Sequence, residues 1–238
     1  MYQTTLTYRN HTLSIFLHGH NEYISNWIRQ SGTFFEVGWL DILYQQQGLL
    51  HPSTSIALDI GANIGNHTIF FEKILGFQKV YAFEPIIENF EILTRNAPKS
   101  RCIRAACSDQ SGKVLMVGEE DFMGNCRVIK EKDLSQYNSW KYANSLPYRT
   151  VKSVCLDDLY LDHVSLIKID VEGHEELAIG GAMDTISRCL PLIWIESTDQ
   201  SLIKSLAEQM KYDIVLHDQS INYMLCPRSE TSSKVIYL

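Results

Sequence analysis

Residues 57–71 read ALDIGANIGNHTIFF, and the punctuation of that run decides the fold. An apolar strand delivers Asp59 at its C-terminal end, and Gly61-Ala62-Asn63-Ile64-Gly65 then turns the chain sharply into a helix. Glycine at 61 and 65 admits positive φ and lets a ligand approach the main chain closely. The first turn of the following helix offers free N–H groups and a positive dipole end, which suit a carboxylate. In open α/β sheets, ligands bind outside the carboxyl ends of the strands, where this loop lies. Asp59, Gly61, Asn63 and Gly65 are therefore candidate ligand-binding residues.

A dinucleotide fits this turn poorly. Its fingerprint requires glycine at the third and sixth positions of G-x-G-x-x-G, and here Asn63 and Asn66 stand there. The spacing suits a smaller ligand whose carboxylate meets the turn. Next comes KVYAFEP at 79–85, an apolar strand ending in Glu84. An ionised carboxylate has acceptors only, so an acid placed there accepts both hydroxyls of a ribose. NAD sites use the same device, and a plain solvated carboxylate is the simpler alternative.

Outward from this centre, short apolar runs alternate with amphipathic stretches. Strands are expected at Ile56–Ile60, Val80–Phe83, Arg101–Ala106, Val164–Asp170, Leu192–Glu196, Asp213–Leu216 and Tyr223–Cys226. Helical spacing covers Ile64–Leu75, Ile87–Asn96, Glu175–Ile186 and Ser201–Met210. That alternation predicts an α/β fold with a mostly parallel, seven-stranded sheet and helices on both faces. Its last two strands follow one another without a helix, so they form an antiparallel edge hairpin. Residues 1–50 read as a lead-in with a strand near Leu13–Leu17 and helices around Tyr23–Gln30 and Glu36–Gln46. The main domain runs over 51–238. Residues 119–150 are polar and aromatic with weak periodicity, as expected of a substrate-facing insertion or a surface excursion.

Composition narrows the function. The 238 residues carry 21 Lys and Arg against 28 Asp and Glu, with no long basic run, which argues against nucleic acid as partner. No apolar stretch approaches the roughly 18 residues of a membrane span. The N-terminus lacks an export signal, so a cytoplasmic location and reduced thiols are expected for the six cysteines. Patterns for hydrolase elbows and P-loops are absent.

The fourth strand carries unusual chemistry. In LIKIDVEGHEE, at 166–176, Lys168 and Asp170 lie two apart and share a face of the strand. A buried Lys needs a partner, and Asp170 is its neighbour. Glu172 follows at the strand-to-helix turn, and Glu196 closes the fifth strand towards the same crevice. Such clustering at strand ends is a functional-site pattern. Glu172 or Asp170 is the candidate general base, steadied by Lys168. A divalent cation such as Mg²⁺ held by these carboxylates is a second route, and a purely structural Lys168–Asp170 brace a third. Ser108-Asp109, just after the third strand, lies where an adenine edge would sit, and His67 could touch donor or substrate or cap its helix.

Three blocks in order, LDIGANIGNHTIFF, YAFEPIIENFEIL and LIKIDVEGHEELAIGGA, resemble the FkbM family of methyltransferases. GNCRV at 124–128 and IWIES at 193–197 resemble weaker family blocks, so the likeness spans roughly residues 56–200. The resemblance implies a Rossmann-like class I fold, S-adenosylmethionine as cofactor, and methyl transfer to an oxygen, often a sugar or polyketide hydroxyl. Lys168, Asp170, Glu172 and Gly173 fall on the family's fourth-strand motif, whereas His174 stands where the family varies. GTFFE at 32–36 and the rest of the lead-in resemble members that modify saccharides. A saccharide acceptor and a homo-oligomer are thus entertained. The competing readings are an NAD-dependent oxidoreductase and a non-catalytic nucleoside-binding module.

Overall fold

The computed structural model describes residues 1–19, 22–117, 127–129, 148–217 and 221–228. The lead-in opens with an antiparallel hairpin, β1 (Tyr2–Tyr8) and β2 (His11–Leu17), followed by helices α1 (Tyr23–Ser31), α2 (Val37–Gln45) and α3 (Gln47–Leu50). The main sheet then begins with β3 (Ile56–Ile60), helix α4 (Asn66–Phe70, continued by one π-helical turn to Leu75), β4 (Lys79–Phe83), helix α5 (Ile87–Asn96) and β5 (Arg101–Ile103). After β6 (Ala106–Cys107), β7 (Gly112–Val117), β8 (Arg127–Ile129) and β9 (Tyr148–Val154), the main sheet resumes with β10 (Val164–Ile169). Helices α6 (Glu175–Gly180) and α7 (Met183–Cys189) lead to β11 (Leu192–Glu196), helix α8 (Gln200–Met210), β12 (Tyr212–His217) and β13 (Asn222–Pro227).

The seven-stranded sheet has the order β12-β13-β11-β10-β3-β4-β5. Strands β11, β10, β3, β4 and β5 are parallel, and β13 and β12 close the edge antiparallel, as the sequence led us to expect. Strand β3 is buried along its whole length, which is why it reads as an unbroken apolar run. One face packs Ile167, Ile169, Ile193 and Ile195 against Ile179, Ile186, Ile203 and Leu206 of α6, α7 and α8. The opposite face packs Leu166 and Trp194 against Leu40, Leu43, Ile69 and Phe70, with Leu6, Ile15 and Leu17 of the hairpin beyond. The chain progresses outward in one direction through β3, β4 and β5, and in the other through β10 and β11. The crevice between β3 and β10 is therefore the topological switch point, where ligands bind in such sheets.

Several expectations need correction. Strand β1 was not anticipated. The single strand expected over Arg101–Ala106 is two: β5 in the main sheet, and β6 in a four-stranded sheet of order β6-β9-β7-β8. The single helix expected over Glu175–Ile186 breaks at Gly181. A Cβ there would lie 2.0 Å from the Ser108 carbonyl oxygen, so the chain passes too closely for any side chain. Most of the 119–150 segment lies outside the described residues, β8 and the start of β9 excepted. Among the described residues no helix is long and apolar enough to cross a membrane, and Cys102, Cys107, Cys155 and Cys189 are free thiols.

The Gly181 contact gives a direct check. Gly181→Ala forces backbone apart at the Ser108 turn, and the expected loss is about 2 kcal/mol or more in urea unfolding. A variant as stable as the parent would show that the turn yields freely.

Candidate active site

The carboxyl ends of β3, β4, β10 and β11 open onto a cavity of about 630 Å³. Gly61, Ala62 and Asn63 form one wall, Glu84 another, and Asp170, Glu172 and Glu196 a third. Gly61 sits at φ 84°, and a Cβ there would meet the Asp170 carbonyl oxygen at 1.8 Å. Its glycine is thus required by the crossing of the two loops, beyond any need of a ligand. Gly65, at φ 90°, caps α4, and a Cβ there would press on Leu93 of α5 at 2.9 Å. That glycine seats one helix against another.

Glu84 organises the second wall. Its Oε2 accepts from the Asn63 N–H (2.9 Å) and its Oε1 from the Ile86 N–H (2.8 Å), so one carboxylate fixes both loops. Burial outweighs these hydrogen bonds and pushes its pKa up to about 7. Asn63 is held in the left-handed region at φ 49°, and its side-chain oxygen is buried without a hydrogen-bond partner. A buried acceptor lacking a donor, beside a buried acid and a glycine turn, fits an amino-acid-bearing nucleoside.

Lys168 lies behind the third wall. It is fully buried, and its Nζ donates to Asp170 Oδ2 at 2.8 Å. Burial opposes its charge, but Asp170, Glu36, Glu196 and Asp59 outweigh that and hold its pKa above the ordinary value. Burial, then the Asp170 charge, push the Glu196 carboxyl well above the carboxylate range despite Lys168.

The remaining expected residues are placed as follows. Asp59 does not line the cavity. It is wholly buried, pairs in register with Lys168, and accepts from Thr68 Oγ1 of α4 at 2.5 Å. Ser108 is buried outside the lining residues, and its hydroxyl lies 3.1 Å from His174 Nε2, which does reach the cavity. Asp109 is exposed and accepts from Ser108 Oγ at 3.1 Å. The structure therefore brings Gly61, Asn63, Glu84, Asp170 and Glu172 together at the cavity, with Asp59, Gly65, Lys168, Ser108 and Asp109 outside its lining.

Sequence reasoning missed Glu36. Its carboxylate reaches the cavity from the N-cap of α2, in the left-handed region at φ 55°. Asn222 Nδ2 donates to Glu36 Oε1 at 2.9 Å. His67 Nε2 stands 3.1 Å from Oε2, an ion-pair distance without good hydrogen-bond alignment. Burial pushes this carboxyl up, yet the His67 ring, the Lys168 charge and Asn222 overcome it and leave a pKa of about 2. The signal was the GTFFE run, which the composition of the lead-in gave no reason to place at a strand end. Among the described residues no group of three or more His, Cys, Asp or Glu is arranged to hold a metal ion.

A parallel sheet reversed at β3/β10, with a glycine turn and an acid closing the next strand, is the class I methyltransferase fold. The family model described as Methyltransferase FkbM domain matches residues 59–223. The chain belongs to the FkbM family of methyltransferases. It is 28% identical over 182 residues to 2-O-methyltransferase NoeI of Sinorhizobium fredii (strain NBRC 101917 / NGR234), covering 68% of this chain and 71% of that protein. It is 22% identical over 195 residues to Methyltransferase sdnD of Sordaria araneosa, covering 68% and 75%. The fold matches the crystal structure of Methyltransferase FkbM from Methylobacillus flagellatus KT with a TM-score of 0.52 at 19% identity. That superposition covers 73% of this chain but 44% of the other, so the chain spans less than half of that protein.

The depressed Glu36 pKa ties stability to pH. A carboxyl whose folded pKa lies below its ordinary 4.5 stabilises the fold above that pH and loses the contribution as pH falls towards 2. Glu36→Gln is expected to cost on the order of 2–3 kcal/mol at neutral pH and much less near pH 3. Urea melts of both proteins at the two pH values test it, and a constant difference would refute the assignment.

Proposed function

We propose that this chain is an S-adenosylmethionine-dependent O-methyltransferase that methylates a hydroxyl of a saccharide or related metabolite. One observation carries the reading: the glycine turn with Glu84, and the carboxylates Asp170, Glu172 and Glu196, face a single cavity. The relative NoeI, a 2-O-methyltransferase, supports oxygen as the atom methylated.

Gly61, Ala62 and Asn63 offer backbone and side-chain polar groups to the amino-acid end of the donor. Glu84 accepts from its ribose hydroxyls. Asp59 and Gly65 act indirectly, by fixing the start of α4 through Thr68 and the packing on Leu93. Ser108 and Asp109 shape the adenine side, with His174 as the group that reaches inward. When bound, the donor supplies a methyl group on a sulfonium, already a good leaving group. The chain's own task is alignment and proton removal.

Glu172 is the proposed base. It lines the cavity from a turn in the left-handed region at φ 53°. Asp170 stands beside it, its Oδ2 2.8 Å from Lys168 Nζ. Water is excluded from behind by Trp194 and Lys168, both fully buried.

Three measurements follow from these assignments. Glu172→Gln is expected to reduce labelled-methyl transfer to a panel of sugar acceptors by about 10²–10⁴-fold. Binding of S-adenosylhomocysteine and the melting temperature stay unchanged, and retained turnover would remove Glu172 from the chemistry. Because an ionised Glu84 accepts hydroxyls best, calorimetric affinity for S-adenosylhomocysteine is expected to rise as pH increases through about 7. Glu84→Gln should flatten that rise. Calorimetry with NAD in parallel separates the oxidoreductase reading, and binding of NAD alone would overturn the proposal.

A further inference from the structure

We infer that the N-terminal segment, not only the core domain, builds the acceptor subsite: an aromatic shelf of Tyr23 and Phe35 over a floor of Glu36, His67 and Glu196. The subsite takes an uncharged or amine-bearing sugar ring and rejects phosphorylated and nucleotide-linked sugars. The inference rests on the methyltransferase reading above and names the substrate class for that same cavity.

Tyr23 opens α1 and Phe35 precedes the Glu36 cap, and both line the cavity. The Tyr23 ring is 68% exposed although it belongs to an aromatic cluster. Phe35 meets Tyr23 edge-on at 5.6 Å and is met from behind by Trp27 at 5.9 Å. The shelf is rigidly attached to the glycine turn. Asn66, the first residue of α4, accepts from the Phe35 N–H at 2.9 Å and donates to the Phe35 carbonyl at 3.1 Å. Aromatic rings at the mouth and hydrogen-bond acceptors on the floor suit a molecule with an apolar C–H face and a rim of hydroxyls. A pyranose ring has that shape.

Charge sets the second half of the inference. Among the described residues, the acidic side chains lining the cavity are Glu22, Glu36, Glu84, Asp170, Glu172 and Glu196, with the imidazoles of His67 and His174. Among the described residues, no Lys or Arg lines it. Lys168 lies behind the wall and is neutralised by Asp170. A phosphate brought into this space meets carboxyl groups with no compensating cation among the described residues, and like charges at short range repel strongly where water is scarce. An amine meets the opposite field.

Saturation-transfer NMR in the presence of S-adenosylhomocysteine tests the subsite with defined probes: methyl glucoside, methyl mannoside, glucosamine, glucose 1-phosphate and UDP-glucose. We expect transfer to the methyl glycosides or glucosamine and none to the two phosphorylated probes. Tyr23→Ala, a change at an exposed position that leaves the core intact, should weaken glycoside binding roughly tenfold, the scale of an aromatic contact. Calorimetric affinity of the same variant for S-adenosylhomocysteine should match the parent. Preferential binding of either phosphorylated probe, equal glycoside affinity in the variant, or no glycoside binding while S-adenosylhomocysteine binds would each overturn the subsite. Failure of S-adenosylhomocysteine itself to bind would instead sink the donor reading.

Discussion

A lysine ammonium sealed from water must be neutralised, and much of this site is arranged around that requirement. Leaving such a charge uncompensated costs several kcal/mol. Lys168 is wholly buried in β10, with the Trp194 ring centroid 5.4 Å from its Nζ. The acids that act on it are Asp170 at the end of its own strand, Asp59 on β3, Glu196 on β11 and Glu36 from the lead-in. One charge therefore draws the carboxyl ends of three adjacent strands and an N-terminal cap to a common point. The acids are not equivalent in response. Glu36 is held fully ionised, whereas Glu196 is driven towards its protonated form, because one lysine cannot balance every carboxylate around it.

The lead-in is consequently part of the same body as the sheet. Trp194 Nε1 donates to Asn222 Oδ1 at 2.6 Å, and Asn222 Nδ2 donates onward to Glu36. That chain of bonds links strand β11, its antiparallel neighbour β13 and the entrance to α2. On the other side, Asn96 of α5 accepts from the Phe16 N–H (2.7 Å) and donates to the carbonyls of Phe16 (2.9 Å) and Ile64 (2.7 Å). The hairpin is thereby pinned against the helix that also receives Gly65.

What the sequence disclosed and what it hid divide along physical lines. Ile56–Ile60 and Leu192–Glu196 were legible to the residue, because strands buried on both faces leave continuous apolar runs. Helix Ile87–Asn96 was equally plain from its spacing. The split of Arg101–Ala106 was hidden because both pieces are short and only Arg104 and the buried Ala105 separate them. Strand β9, YRTVKSV, and strand β1, YQTTLTY, carry polar residues on their open faces, so a search for apolar runs passes over them. At the site, the glycine turn, Glu84 and the β10 carboxylates stood out by spacing. Glu36 did not, since its role depends on tertiary contacts with His67 and Asn222 some 30 and 186 residues away.

The positive-φ residues give a last constraint. Asn63, Glu172 and Glu36 are non-glycine residues in the left-handed region, and all three line the cavity. Such conformations are disfavoured and persist only where the surroundings over-determine them. Two of the surrounding restraints are visible: Glu84 holds the Asn63 N–H, and Asn222 with His67 holds the Glu36 carboxylate. Polar groups are thus aimed inward by the backbone before any ligand arrives, which lowers the ordering cost of binding. The same wall is lined by several carboxyl groups. If the proposed reaction holds, a carboxyl-lined wall would favour a cationic sulfonium donor over the neutral thioether it leaves.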